Sequence, residues 1–247
     1  MLQKMFTAAL IATPLAFGVM VAGAQDKGAD KKGAPAAATA EKKGDNVDKD
    51  KRGTSPQADA VARAALADQL ARYGDANKDS LALITAARIL QQVSAQETKA
   101  DKKSEGGDAK AGGKPARDPS VTAMLDRAKQ YAGGRKDIIA MADEAAKSSS
   151  RGASSGPRRW QEQVRGRALD YYNVTFRGGE PAMVAISGDG DTDLDLIIRD
   201  ENGNVVCASQ SAGDDEVCRW YPRWTGAFRI EVKNLGNVHN NYRAAHN

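Results

Sequence analysis

The chain has 247 residues, 28% of them charged, and its 36 Lys and Arg against 32 Asp and Glu leave a formal net charge of +4. This length admits one or two domains. The small positive excess is spread through Lys/Asp alternations, which argues for solubility and against the concentrated basic face of a nucleic-acid binder.

The N-terminus reads as a targeting segment. Lys4 gives a positive start, Phe6 to Val21 is apolar but short for a bilayer span, and Ala22-Gly23-Ala24 is a small-x-small cleavage site. Residues 1–24 are therefore expected to be a signal peptide, with no membrane span left after cleavage. Residues 25–55, rich in Lys, Asp, Ala and Gly, predict a disordered linker.

A helical region follows over 56–148. Val61, Ala64, Ala65, Leu70 and Ala71 recur at helical spacing behind Ser55-Pro56, an N-cap and first-turn pair, and the helix is expected to end at Tyr73-Gly74. A second helix is predicted over Asp79 to Val93. Residues 97–118, with two Gly-Gly pairs, read as a flexible insert. A third helix opens at Asp118 or Ser120, breaks at Gly133-Gly134, and is followed by a fourth with Ile138, Ile139 and Ala142 on one face. Tyr73 stands five residues before Lys78-Asp79 as Tyr131 does before Lys136-Asp137, so a repeated helical hairpin and a plain four-helix bundle both fit. Residues 149–159 have linker composition.

From Trp160 the period becomes two. Tyr171, Asn173 and Thr175 alternate with Tyr172, Val174 and Phe176, and Leu194, Leu196 and Ile198 with Asp195, Ile197 and Arg199; Asn202-Gly203 marks a hairpin turn. Six to eight short strands over 160–247 predict an antiparallel β-sandwich, with Tyr172, Phe176, Trp220, Trp224 and Phe228 as core bulk. In the oxidising compartment that export implies, Cys207 and Cys218 are expected to form a disulfide. Their spacing and the distant His239 and His246 argue against a Cys/His metal site.

Thr192-Asp193-Leu194-Asp195-Leu196, then Asp200-x-x-Gly203, then Trp224-Thr225-Gly226-Ala227-Phe228 and Asn241-Tyr242 resemble the bacterial pre-peptidase C-terminal domain. The resemblance covers about Ala168 to Asn247 and implies a jelly-roll-like sandwich used for targeting or for binding polymer or calcium. No peptidase domain precedes it, so no peptidase activity is implied.

Asp189, Asp191 and Asp193 stand at alternate positions, and Asp214, Asp215 and Glu216 lie in a second acidic loop. Oxygen clusters of this kind suit calcium. The competing reading is an acidic turn pinned by its own hydrogen bonds. Calcium is the one candidate cofactor. Trp220, Tyr221 and Trp224 are a candidate platform for sugar or peptide, against a role in the core. No Gly-x-Ser-x-Gly, His-Glu-x-x-His or phosphate loop is present, and an Asp189/Asp193 acid–base pair is the most that catalysis finds. The expected protein is periplasmic or secreted and non-enzymatic. Its helices would contact protein and its sandwich would target or bind an envelope or extracellular protein or polymer. A calcium-dependent matrix- or glycan-binding module and a cryptic hydrolase are the alternatives.

Overall fold

The computed structural model describes residues 44–107, 112–148 and 156–247. The signal peptide, residues 25–43 of the linker and most of the 149–159 linker lie outside these. Residues Lys42–Asn247 form one compact unit.

Four helices run in sequence: α1 (Pro56–Asn77), α2 (Ser80–Gln92), α3 (Val121–Tyr131) and α4 (Lys136–Lys147). The Ser55 side chain accepts from the Ala58 N–H at 3.1 Å and Pro56 takes the first helical position, as the sequence signals. The helix does not stop at Gly74. It runs one turn further and is closed by Lys78 in the left-handed region, φ 53°. Asp79 caps α2 by accepting from Leu81 and Ala82. The corresponding Lys136-Asp137 does not repeat this: Arg135 stands at the N-cap and makes no side-chain cap bond. The two hairpins thus differ at the feature that suggested a repeat.

Among the described residues, ten strands form two sheets. The numbering is β1 (Gln96–Glu97), β2 (Lys103–Gly106), β3 (Arg158–Val164), β4 (Ala168–Phe176), β5 (Ala182–Ser187), β6 (Leu194–Arg199), β7 (Val205–Ser209), β8 (Asp215–Trp220), β9 (Gly226–Asn234) and β10 (Asn240–His246). One sheet has the order β1-β3-β10-β5-β8 and the other β2-β4-β9-β6-β7. Without β1 and β2, these are the two four-stranded faces of a jelly roll. Every pairing is antiparallel except that of β1 with β3.

Alternation sorts the side chains. Leu194, Leu196 and Ile198 meet Phe228, Ile230 and Val232 in a core completed by Trp160, Tyr172, Phe176, Trp220 and Tyr242. Trp160 rather than Trp224 supplies the bulk here, since Trp224 is half-exposed. Strand β5 is buried at every residue. Val184 and Ile186 face the sandwich core, whereas Met183 and Ala185, with Ala245 of β10, belong to the helical core. The molecule is therefore three layers deep: helices, first sheet, second sheet. A strand covered on both faces reads as an unbroken apolar run, which is what Met183 to Ile186 presents.

Two stretches expected to lack structure are built in. The linker reading for 25–55 fails over its described end. Val47 joins the core, and Asn46, fully buried, donates to the Trp224 carbonyl (3.1 Å) and accepts from the Arg223 (2.9 Å) and Trp224 (3.1 Å) N–H groups. The Asn46 N–H also reaches Asp200 at 2.8 Å. Likewise the 97–118 insert contributes strands. From β1 on the first sheet the chain crosses at residues 98–102 to β2 on the second, and Gly112 and Lys114 bond to His239, Asp191 and Asn241. Composition cannot register partners that stand far away in the sequence, as Asp191 does from Lys114 and Trp224 from Asn46.

Replacing Asn46 with alanine is expected to cost about 1–3 kcal/mol, because the Arg223 and Trp224 N–H groups lose their acceptor inside the protein. Urea unfolding measures this, and an unchanged midpoint would show that the strap adds nothing.

Candidate functional site

The acidic loop 188–193 connects β5 to β6 and lies at the edge of the helical layer. Gly188 is required there by contact: a Cβ would sit 2.2 Å from the Asp214 carboxylate. Asp189 accepts from the Asn241 N–H (2.9 Å) and side-chain amide (2.7 Å). Asp191 pairs with the Lys114 ammonium at 2.6 Å and accepts its N–H at 2.7 Å. Burial works against the Asp191 charge, but the Lys114 bonds hold its carboxyl below the usual range. Asp214 meets Arg72 of α1 at 2.8 Å, and Asp215 meets the same guanidinium and the Ser187 hydroxyl (2.6 Å). Asp193 differs from these four. One of its oxygens is buried without a partner, and burial together with Asp195, Glu216 and Asp214 raises its pKa.

The structure thus brings Asp189, Asp191, Asp214 and Asp215 to one region but commits each to protein donors. Among the described residues no group of three or more His, Cys, Asp or Glu side chains is placed to hold a metal ion. The local result is a latch. Arg72 and Lys114 tie α1 and the 112–117 segment to the two acidic loops of the sandwich.

Cys207 and Cys218 are bonded, with Cα atoms 5.8 Å apart. They lie on β7 and β8, which edge opposite sheets, so the bond staples the sandwich along one side. The aromatic platform does not assemble. Trp220 is in the core against Phe176 (4.8 Å between rings) and Phe228 (5.4 Å). Tyr221 is held by the 46–54 strap, its hydroxyl donating to the Arg52 carbonyl at 3.2 Å, and Trp224 donates to Glu201.

The opposite side of the sandwich is open. β2 pairs with Ala168–Tyr171 only, so the Tyr172–Phe176 half of β4 has β9 on one flank and no strand on the other among the described residues. A cleft of about 880 Å³ runs along this half-strand, between it and residues 96–101. Trp160, Tyr172, Phe176 and His246 line it, and Lys99, Asp101, Arg158, Arg177 and Glu180 contribute its charges. The rings pack edge to face, with Trp160 5.2 Å from Tyr172 and His246 5.6 Å from both Trp160 and Phe176. Burial lowers the His246 pKa and favours the neutral imidazole, whose Nδ1 meets the main-chain oxygen of Asn247 at 2.8 Å. Deeper in, the Tyr172 and Tyr242 hydroxyls bond each other and Tyr242 donates to Asp170 (3.2 Å), which Ser104 also engages. Burial drives both tyrosine pKa values far up. Trp160, Tyr172 and Phe176 are only 1–4% exposed, so they back the cleft as part of the sandwich core, and hydrogen bonding to a ligand falls to the β4 edge and the charged side chains. Sequence reasoning missed this cleft. Its aromatics looked like core residues, and nothing local shows that β2 stops short of Tyr172.

No protein-family model matches the chain, and no curated protein does. Solved structures similar to part of it include the following three. One is the pre-peptidase C-terminal domain of a Bacillus anthracis collagenase, 9% identical over 38% of this chain and 80% of that one, TM-score 0.26. Another is a periplasmic inhibitor of g-type lysozyme from Aeromonas hydrophila, 10% identical over 39% and 90%, TM-score 0.30. The third is a de novo designed double-stranded β-helix, 17% identical over 36% and 99%, TM-score 0.25. The likeness is of strand arrangement alone.

Proposed function

We propose that the protein is an exported, non-enzymatic binding protein of the periplasm or cell exterior, whose sandwich holds the ligand and whose helical layer braces it. The cleft beside the unpaired half of β4 carries this reading. An extended polypeptide can continue the line of β2 along β4, with main-chain bonds supplying affinity and the charged side chains of the cleft selecting among sequences. An envelope or extracellular protein is the partner such an edge suits. The signal-type N-terminus and the Cys207–Cys218 bond support export. No described helix is long and apolar enough to cross a membrane.

The test is site-specific photo-crosslinking in envelope extract, with the reactive group at Val174 in the cleft or at Leu66, which is exposed on α1. Adducts at Val174 that vanish when Ala100→Trp fills the cleft are expected. Adducts confined to Leu66 would move the contact to the helices, and turnover in a hydrolase panel would overturn the non-enzymatic reading. Calcium-dependent matrix or glycan binding requires Asp189, Asp191 and Asp214 to exchange their present donors for the ion. A melting temperature raised by millimolar calcium would favour that alternative.

A further inference from the structure

Away from the cleft, the seam between α1 and the first sheet encloses a cavity of about 160 Å³. Arg72, Lys114, Arg117 and Arg243 contribute positive charge to its wall, and Asp75 and Asp189 negative charge. The carboxylates of this seam are shared. Asp75 serves both Arg127 (2.9 Å) and Arg117 (3.3 Å), and Asp68 serves both Arg159 and Arg243. Arg159 takes the close contact, which leaves Arg243 with Asp68 at 3.4 Å and Gln161 at 3.5 Å. Both are at the limit of a hydrogen bond, for a group that carries five donors. The neighbouring Arg127 has a buried Nη2 with no partner.

The seam therefore holds more buried donors than acceptors. Burial, with repulsion from Arg159 and Arg127, outweighs the attraction of Asp68 and Asp75 and lowers the Arg243 pKa, as expected of a cation short of negative charge. Arg243 is mostly covered, with 13% of its side chain exposed, whereas Arg117 and Lys114 are 51% and 58% exposed. The cavity thus has a buried cation at its base and two half-exposed ones at its rim, Lys114 paired with Asp191 and Arg117 with Asp75.

We infer that this cavity binds a small monocarboxylate, with the carboxylate on Arg243 and the Arg117 and Lys114 side chains closing over it. The guanidinium fork fits a carboxylate's two oxygens. Asp75 and Asp189 offset only part of the positive wall, so any anion is attracted, and the choice of a carboxylate over phosphate rests on the apolar part of the lining. Ala76 and Pro115 in the lining give a short alkyl tail an apolar surface. The same contacts explain why the seam tolerates crowded arginines: the ligand supplies the acceptor that the fold leaves out.

The test is titration of the full chain with sodium propionate at fixed ionic strength, read by the NMR signals of the arginine Nε–Hε groups. Arg243 and Arg117 signals are expected to move saturably with propionate and not with chloride. Arg117→Gln should weaken binding about tenfold. Arg243→Lys, which keeps the charge but loses the fork, should weaken it at least as much; should that variant fail to fold, Arg117→Gln alone decides. Ala100→Trp, which blocks the cleft, should leave propionate binding unchanged, so this site and the cleft fail or stand separately. Absence of a saturable shift, tighter binding of inorganic phosphate than of propionate, or an Arg117→Gln variant that binds as before would each overturn the assignment.

Discussion

Replacing Asp68 with alanine is expected to destabilise the protein by about 3–5 kcal/mol, the cost of leaving a buried charge without its partner. Asp68 lies on the face of α1 turned to the first sheet, 2% exposed, where it meets Arg159 of β3 and Arg243 of β10. Arg159 is itself 1% exposed, and its other partner is Glu97 of β1. Without Asp68, two arginines face an alanine-rich helix across an interface that water hardly enters. The substitution acts on the joint between layers rather than on either layer. Changing both partners separates net worth from truncation cost: Asp68→Ala with Arg159→Met should recover part of the loss, since an apolar pair of similar volume often substitutes for a buried ion pair. Urea unfolding of the single and double variants measures both. A single variant within 1 kcal/mol of the parent would show that the helices are held on by apolar packing alone, a threshold set by the typical cost of ordinary substitutions, about 1 kcal/mol.

Removing the disulfide is expected to cost about 3 kcal/mol, the chain-entropy value for closing a loop of this size. The two cysteines are 11 residues apart in sequence. The effect should be concentrated on β7, an edge strand of five residues without a fully buried side chain. With so little burial, β7 depends on its pairing with β6 and on the sulfur link to β8. A Cys207→Ala/Cys218→Ala variant should therefore show faster amide exchange in Val205–Ser209 before global unfolding is reached, while β9 stays protected. Uniform loss of protection across both sheets would mean the bond stabilises only through the unfolded chain.

The parts of the fold that were legible in the sequence are those whose pattern is local. Leu194, Leu196 and Ile198 alternate because one face of β6 is buried, and Ser55-Pro56 caps α1 from the residues at hand. What stayed hidden depends on distant partners. Asp68 interrupts an alanine stripe and reads as a surface residue until Arg159 and Arg243 are placed opposite it. Asn46 lies in a polar stretch with every mark of a linker, and only the turns at Asp200 and Trp224 give it a place. The run Met183 to Ile186 did carry a signal of long-range structure, since its odd residues are as apolar as its even ones, and that betrays a layer on each side. The acidic loop was visible as a cluster of charge, but charge alone does not distinguish a cation site from a latch. Arg72 and Lys114, which pair with these carboxylates, lie 77 or more residues earlier in the chain than the groups they hold. The cleft was invisible for a geometric reason: it exists because a strand ends early.

The two long sides of the sandwich differ in kind, and this has a mechanical consequence. β7 and β8 are bound covalently by the disulfide, like the spine of a book, while on the facing side the sheets are joined through the main chain, by residues 98–102 and by the 165–167 turn between β3 and β4. The Tyr172–Phe176 margin lies away from the sulfur link and has no strand beyond it among the described residues, so the sandwich has one sealed edge and one open to pairing. A partner laid along that margin therefore meets sheets whose far edges cannot part without breaking a covalent bond.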